Sequence, residues 1–374
     1  MENIKMVDLQ NQYLRIKPEI DSAIQKVIDS AAFIQGPSVH DFSKSLAKYN
    51  KVNHVITCGN GTDALQIALM ALDLNPGDEV ILPVHTYVAT AEVIALLRLT
   101  PVFIDVNIDD FNIDVNQIES KITPRTKVIV PVHLYGQCAD MEAIIDIADK
   151  HSLYIIEDAA QAIGASYTFK NGQQKMAGAI GTIGCTSFFP SKNLGCFGDG
   201  GALYTSNLAL ADKIKMIANH GQQKKYYHDL IGVNSRLDTI QAALLNVKLQ
   251  YLDDYCARRQ AVADLYDKAF KNLCALKTPI KREYSSHVFN QYTLKINEGS
   301  RDELKKYLAG KGIPTMIYYP VPLHMQKAYK QSGLDEGAFP IAEELSKKVI
   351  SLPIHTEMSV EQIDYICDTV VKYF

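Results

Sequence analysis

The chain has 374 residues, 47% of them hydrophobic and 21% charged, with a net charge of −4. This length is ample for a large core and points to one large domain plus a smaller one, while the lack of a basic excess excludes the usual nucleic-acid binder. The seven cysteines (Cys58, Cys138, Cys185, Cys196, Cys256, Cys274 and Cys367) are odd in number and never spaced C-x-x-C, which suits reduced thiols in the cytoplasm and speaks against a disulfide frame or a zinc site.

The first residues carry no apolar signal core and no 18-residue apolar run follows, so a soluble cytoplasmic protein is expected, with no membrane partner. Residues 16–31, IKPEIDSAIQKVIDSA, have helical apolar spacing with Pro18 in the first turn. HVITC then reads as a short buried strand, and GNGTDALQIALMAL as a glycine turn running into an apolar helix. EVILPV, PVFIDV, KVIVPVHLYG and LYIIEDAA read as further strands, alternating with helices over TYVATAEVIALLRL and MEAIIDIADKH. Such alternation predicts an α/β fold with a mainly parallel sheet covered on both faces. IGCTSFF and GALYTS are two short β-type runs joined by the stretch around Lys192. Residues 236–270 read as a long, largely continuous helix, with a domain boundary near Leu252. The large unit is then 1–252, and 253–374 forms a smaller α+β unit from FNQYTLKI, RDELKKYLAGKGI and SVEQIDYICDTVVKYF.

Three motifs carry chemistry. In CGNGTDALQIAL, Gly59, Gly61 and Ala64 fit G-x-G-x-x-A between a strand and a helix. A dinucleotide-dependent oxidoreductase would also need an acid about 20 residues on, at the end of the next strand, but Asp78 and Glu79 stand at its start. What remains is an anion site at a helix N-terminus, made by Gly61 and Thr62. A plain tight turn capped by Thr62 or Asp63 would look the same. Asp158 closes an apolar strand, at the end where open α/β sheets bind ligands, and needs a cation or strong donor; a helix cap or structural ion pair is the plainer reading. Lys192 lies between Phe188, Phe189 and Pro190 and a glycine-rich run, apolar company that lowers a lysine's pKa and makes it nucleophilic; most lysines are merely solvated charges. The acidic run from Asp105, with Asn107 and Asp109, imitates a calcium loop. It fails, because Asp110 stands where glycine is needed and Asn116 where glutamate is needed, so no metal is expected.

A phosphate turn, a strand-end aspartate and a later nucleophilic lysine are what pyridoxal phosphate requires. With GNGTDALQIAL, HTYVATAEV, PVHLYGQCADMEAI, EDAAQAIGA, SFFPSKNLGCFGDGGA, GVNSRLDTIQAALL and YYPVPLHMQ in order, the chain resembles the DegT/DnrJ/EryC1/StrS sugar aminotransferases. The resemblance implies a fold-type-I enzyme with a seven-stranded, mainly parallel sheet, working with pyridoxal 5′-phosphate. Lys192 would bind the cofactor covalently and shuttle the proton. Asp158 would pair with the pyridinium nitrogen, and Gln161 with the phenolic oxygen. Tyr87 would stack on one ring face and Ala160 pack near the other. Gly61, Thr62 and Ser187 would hold the phosphate, with Asn234 reaching it from the neighbouring subunit of a homodimer. Relatives with histidine at the lysine position act as dehydrases, against which Lys192 argues.

The resemblance further implies L-glutamate as donor and a keto nucleotide sugar as acceptor, serving surface polysaccharide synthesis. GQCADMEAI, SFFPSKNLGC and NSRLDT look closest to members that aminate C-3 of a UDP-linked 2-acetamido-3-keto-hexuronic acid. Arg236 would grip the sugar carboxylate, with Tyr318, Tyr319 and His324 as further substrate residues. The uronate-type pattern has histidine where Tyr318 stands, which leaves a dTDP-linked 3-keto-6-deoxyhexose, or a 4-keto nucleotide sugar, as the alternative acceptor. A non-catalytic regulator of the same fold would be expected to carry a DNA-binding module, for which there is neither spare length nor a basic patch.

Overall fold

A computed structural model describes residues 3–330 and 334–374. Its main sheet has seven strands in the order His54–Cys58, Gly201–Thr205, Ile183–Ser187, Tyr154–Asp158, Thr126–Ile129, Glu79–Pro83, Thr100–Ile104. Only Gly201–Thr205 runs antiparallel to its neighbours. Side chains alternate across this sheet, as the two-residue period of a strand requires. Val80 and Leu82 enter a core with helices Gly61–Ala71, Ala89–Leu96 and Leu208–Ala218, whereas Ile81 faces the helix Met141–His151 through Met141, Ile144 and Ala148. Likewise Leu203 turns to the first core, while Ala202 and Tyr204 meet helices Lys17–Ser30, Pro37–Asn50 and Thr239–Leu249.

A second, antiparallel sheet joins Leu276–Lys277, Tyr292–Ile296 and Val349–Leu352. Its core takes Tyr266 and Phe270 from helix Leu252–Phe270 and Ile363, Ile366 and Val370 from helix Val360–Tyr373. Ile4 belongs to this small core, while Leu323, Tyr329, Phe339 and Leu345 pack into the large one, so the chain passes between the two cores more than once. No helix among the described residues is long and apolar enough to cross a membrane.

Several sequence expectations need correction. The continuous helix over 236–270 is two helices, Thr239–Leu249 and Leu252–Phe270. Gln250 N–H bonds Val247 O and Tyr251 N–H bonds Lys248 O, the i→i−3 pattern of a tightened turn, and this interrupts the apolar periodicity no further than a bend. The strand over KVIVPVHLYG stops at Ile129. Pro131 has no N–H for the ladder, and Tyr135 takes a left-handed φ of 58° that turns the chain. The helix Pro37–Asn50 was not anticipated, although Pro at its first turn after Gly36 is a start signal. In the acidic run, Asp105 receives the Ile341 and Ala342 N–H groups at 2.9 Å each, at the start of helix Pro340–Lys348, and Asp109 and Asp110 pair with Lys277 and Arg282. These acids fasten segments distant in sequence.

Glu157 shows how the strand carrying Asp158 is fixed. It points to the opposite face from Asp158 and is fully enclosed. Its carboxylate accepts the N–H groups of Gly178 (2.8 Å), Ile180 (2.6 Å) and Gly181 (2.6 Å), and His133 Nε2 at 2.9 Å. Because His133 Nδ1 accepts the Ala139 N–H at 3.2 Å, the ring hydrogen must be on Nε2, facing Glu157. Both carboxylate oxygens therefore face donors only. Glu157→Gln puts an amide NH2 against one of those sets whichever way it flips, and is expected to cost about 3–5 kcal/mol. Chemical denaturation checks this; a loss within about 0.5 kcal/mol would mean that the turn re-forms around the amide.

Candidate active site

The site forms where strands end. Cys58 pairs with Gly201, Gly201 pairs with Ser187, and Asp158 pairs with Cys185, so the carboxyl ends of three parallel strands and the start of the reversed one lie along one edge. Open α/β sheets bind ligands at this edge.

The first strand leads into Gly59–Asp63. The helix cap here is Asn60, whose side chain accepts the Asp63 N–H at 2.8 Å, so neither Thr62 nor Asp63 is the cap. The capping leaves Gly61 and Thr62 N–H at the positive end of an 11-residue helix. Gly61 is required sterically: a Cβ there would lie 2.7 Å from Ser187 Cβ. A Cβ on Gly201 would come within 2.4 Å of the Asn60 carbonyl oxygen, so the reversed strand can begin beneath the turn only as glycine. Gly61, Thr62 and Ser187 thus share a backbone-lined cradle suited to a phosphate.

Asp158 is buried, with Oδ2 accepting the Thr90 hydroxyl at 2.8 Å and Oδ1 accepting the Ala160 N–H at 3.1 Å. Neither contact supplies a counter-charge. Gln161 is held at both ends: Oε1 accepts the Tyr135 N–H at 2.7 Å and Nε2 donates to the Tyr319 hydroxyl at 3.1 Å, which leaves one amide hydrogen for a ligand. The Tyr319 ring is 6.1 Å from the Tyr87 ring, and Tyr87 is 57% exposed, its face open to a planar group. Tyr135 donates its hydroxyl to the Tyr318 carbonyl and ties this segment to the sheet.

Lys192 follows the turn in which its own N–H bonds Phe189 O at 2.8 Å. Removal of its ammonium from water lowers its pKa from 10.5 to about 8, against the opposing pull of the Asp158 charge. Only the neutral amine attacks electrophiles, so its reactivity rises with pH up to its own pKa. In the cofactor-free protein an amine-acylating reagent is expected to label Lys192 with a pH midpoint about 8, while surface lysines keep gaining reactivity to about 10.4. Peptide mapping of labelled protein reads this; a Lys192 midpoint equal to that of the surface lysines would mean that the amine is solvated.

Three expected residues lie elsewhere in the single chain. His324 is fully enclosed, with Nε2 3.1 Å from Glu343 Oε1 and its ring against Phe339, part of the packing under helix Pro340–Lys348. Asn234 is exposed and bridged to Asn219. Arg236 reaches Asn219 at 3.5 Å and lines a cavity of about 320 Å³ with Gln35, His40 and Lys215. Between them Ser235 turns inward, accepting the Gly59 N–H at 2.9 Å and donating to Asp63 at 2.6 Å. Extended backbone sends Asn234 and Arg236 away from the chain's own phosphate turn while Ser235 anchors it. Thr90, Tyr135, Asn60 and Ser235 were not singled out from the sequence. Asn60 could have been, since Asn three residues before a helical Asp is a capping signal; the others act through partners 68 to 183 positions away.

A family model described as the DegT/DnrJ/EryC1/StrS aminotransferase family matches residues 14–371. The UDP-2-acetamido-2-deoxy-3-oxo-D-glucuronate aminotransferase of Pseudomonas aeruginosa is 45% identical over 364 residues, covering 97% of this chain and 98% of its own. A Geobacillus stearothermophilus protein described as a pleiotropic regulatory protein is also 45% identical, over 100% of this chain and 99% of its own. Among solved structures, Streptomyces venezuelae DesV in complex with a ketimine intermediate superposes with a TM-score of 0.95 at 39% identity, covering 100% of this chain and 99% of that one.

Proposed function

Because the chain belongs to the DegT/DnrJ/EryC1/StrS aminotransferase family, we propose that it moves the amino group of L-glutamate to the 3-keto group of UDP-2-acetamido-2-deoxy-3-oxo-D-glucuronate. It is a pyridoxal-phosphate-dependent transaminase of nucleotide sugars. The group suits the site: the cradle at Gly61 and Ser187 has no room for a Cβ, Asp158 is hydrogen-bonded only by the neutral Thr90 hydroxyl and Ala160 N–H among the described residues, and the Lys192 amine is lowered to about 8. Bound there, pyridoxal phosphate supplies an aldehyde that captures an amine and a ring that accepts carbanion electrons.

The observation that carries the reading is the meeting of Asp158 and the Gly61–Ser187 cradle at one sheet edge, with the Lys192 amine close enough to be acted on by the Asp158 charge. Lys192 would hold the cofactor covalently, and its amine, when free, would be the base that moves the proton from the donor's α-carbon. Asp158 would accept the hydrogen bond of the ring nitrogen and favour its protonated form. Gln161 would donate its remaining amide hydrogen to the phenolic oxygen. Tyr87 would cover one ring face, and Ala160 would leave space at the other. Gly61, Thr62 and Ser187 would bind the phosphate.

We assign Asn234 to the phosphate of a partner subunit in a homodimer and Arg236 to the carboxylate of the partner's sugar. Support comes from the outward turn of both residues and from the absence of any carboxylate paired with Arg236 among the described residues. Tyr318 and Tyr319 line the acceptor side. The acceptor itself rests on the P. aeruginosa relative and on Arg236. The test starts with cofactor-loaded enzyme and glutamate and measures 2-oxoglutarate released on adding each keto sugar. Release with the UDP-3-keto-uronate is expected, and a response only to dTDP-linked 3-keto-deoxyhexoses or to 4-keto sugars overturns the acceptor assignment. A regulator without catalysis would release none with any sugar.

A further inference from the structure

The turn after Lys192 is gripped from below by helix Thr239–Leu249. Gln241 and Lys248 lie two helical turns apart on one face of it. Gln241 accepts the Phe197 N–H at 2.9 Å and donates to Phe197 O at 3.4 Å. Lys248 Nζ donates to Gly195 O at 2.7 Å and stands 5.0 Å from the centre of the Phe197 ring.

Lys248 is only 1% exposed and has no carboxylate partner among the described residues. Its surroundings are apolar, with Leu194, Cys196, Leu244 and Leu245 in the same core. An ammonium buried against a single carbonyl costs stability that a methionine or leucine of similar volume would not. What the charge achieves is a fixed Gly195 carbonyl. Movement there cannot be absorbed locally. A Cβ on Gly195 would lie 2.3 Å from Pro190 O, and Cys196 N–H bonds Phe188 O at 2.7 Å, so the strands of the 188–196 loop are in direct contact on both sides of Lys192.

We propose that Lys248, with Gln241, is a positioning residue that clamps the 195–198 turn and so sets where the Lys192 amine stands. The inference rests on Lys192 being the reacting amine. Loss of the clamp lets the loop shift against Asp158 and the cradle, and a displacement on the order of 1 Å of a reacting group costs up to about a hundredfold in rate.

The test uses full-length Lys248→Met and Gln241→Leu proteins. Lys248→Met is expected to lower kcat about ten- to a hundredfold with KM for glutamate within about threefold of the parent. In the cofactor-free protein, amide hydrogen exchange should quicken at 192–198 and not through the sheet. The thermal midpoint should stay level or rise, because a buried charge has gone. Gln241→Leu, at a half-buried position, should shift the same readouts by less, and it carries the test if Lys248→Met does not fold. Parental kcat and parental exchange at 192–198 overturn the proposal. So does a loss of activity that merely tracks a falling thermal midpoint with exchange raised throughout. Exchange in the cofactor-free protein is independent of the chemistry at Lys192, so a fault in the Lys192 assignment, read from Lys192→Ala, is distinguishable from a fault in the clamp.

Discussion

Lys192→Ala lowers turnover at least about ten-thousandfold, the scale of losing both the covalent attachment and the acid–base group. The protein should still fold and still bind pyridoxal phosphate, because the cradle of Gly61, Thr62 and Ser187 is untouched and the loop is held by Gly195 and Phe197 contacts. The cofactor should then be removable by dialysis, with phosphate in the buffer blocking its rebinding, and borohydride should no longer fix it to the chain. Mass spectrometry of the reduced protein reads the attachment, and single-turnover kinetics with glutamate reads the rate. A variant with near-parental turnover would remove Lys192 from the chemistry and, with it, the proposed mechanism. Added small primary amines should restore part of the rate, since the missing function is a positioned amine and not a fold element.

Asp158→Asn should cost about a thousandfold in kcat, comparable to removing one strong preorganised electrostatic contact. The substitution keeps the shape. The Thr90 hydroxyl can rotate to meet an amide as either donor or acceptor, and the amide oxygen can keep the Ala160 N–H. What disappears is the negative charge that favours a protonated ring nitrogen. The same charge raises the pKa of Lys192, against the larger effect of burial. Its removal should therefore move the labelling midpoint of Lys192 below its value of about 8 in the parent protein. The two readouts separate roles: a rate loss without the pH shift would place Asp158 outside the field of Lys192, and a parental rate would end its assignment as partner of the ring nitrogen.

Much of the fold is legible in local pattern. Continuous apolar runs of four to six residues alternating with helical spacing specify strands under helices; EVILP and YIIED form there as buried parallel strands, whereas HVITC, expected to be buried, forms a half-buried edge strand whose one neighbour in the sheet is antiparallel. GNGTDA announces a turn that runs into a helix, and SFFPSKNLG a lysine in apolar company. Pattern misleads where the backbone breaks a period that the side chains continue: the regular strand stops at Ile129 before Pro131, with one further bridge from Val132 to Asp158, and the helix after Leu249 tightens, although the apolar spacing continues. His324, Asn234 and Arg236 mark the other limit. A motif identifies residues that belong near a site, but not whether a side chain is enclosed by its own chain, as His324 is by Glu343, or turned outward, as Arg236 is.

The sequence by itself determined the element order, the glycine turn at the helix start, the strand-end aspartate and a lysine held among apolar residues. These depend on near neighbours, whose periodicity and backbone preferences act over a few positions. Only the tertiary structure decided that the turn, the aspartate and the lysine meet. Register across the sheet brings Cys58, Gly201 and Ser187 to one edge, sets Ser187 against Gly61, and lays Asp158 beside Cys185. It also places Lys248, 56 positions beyond Lys192 and unremarkable in sequence, beneath the reacting loop. Such contacts are fixed by burial and hydrogen-bond satisfaction over the whole core, to which no local stretch of sequence has access.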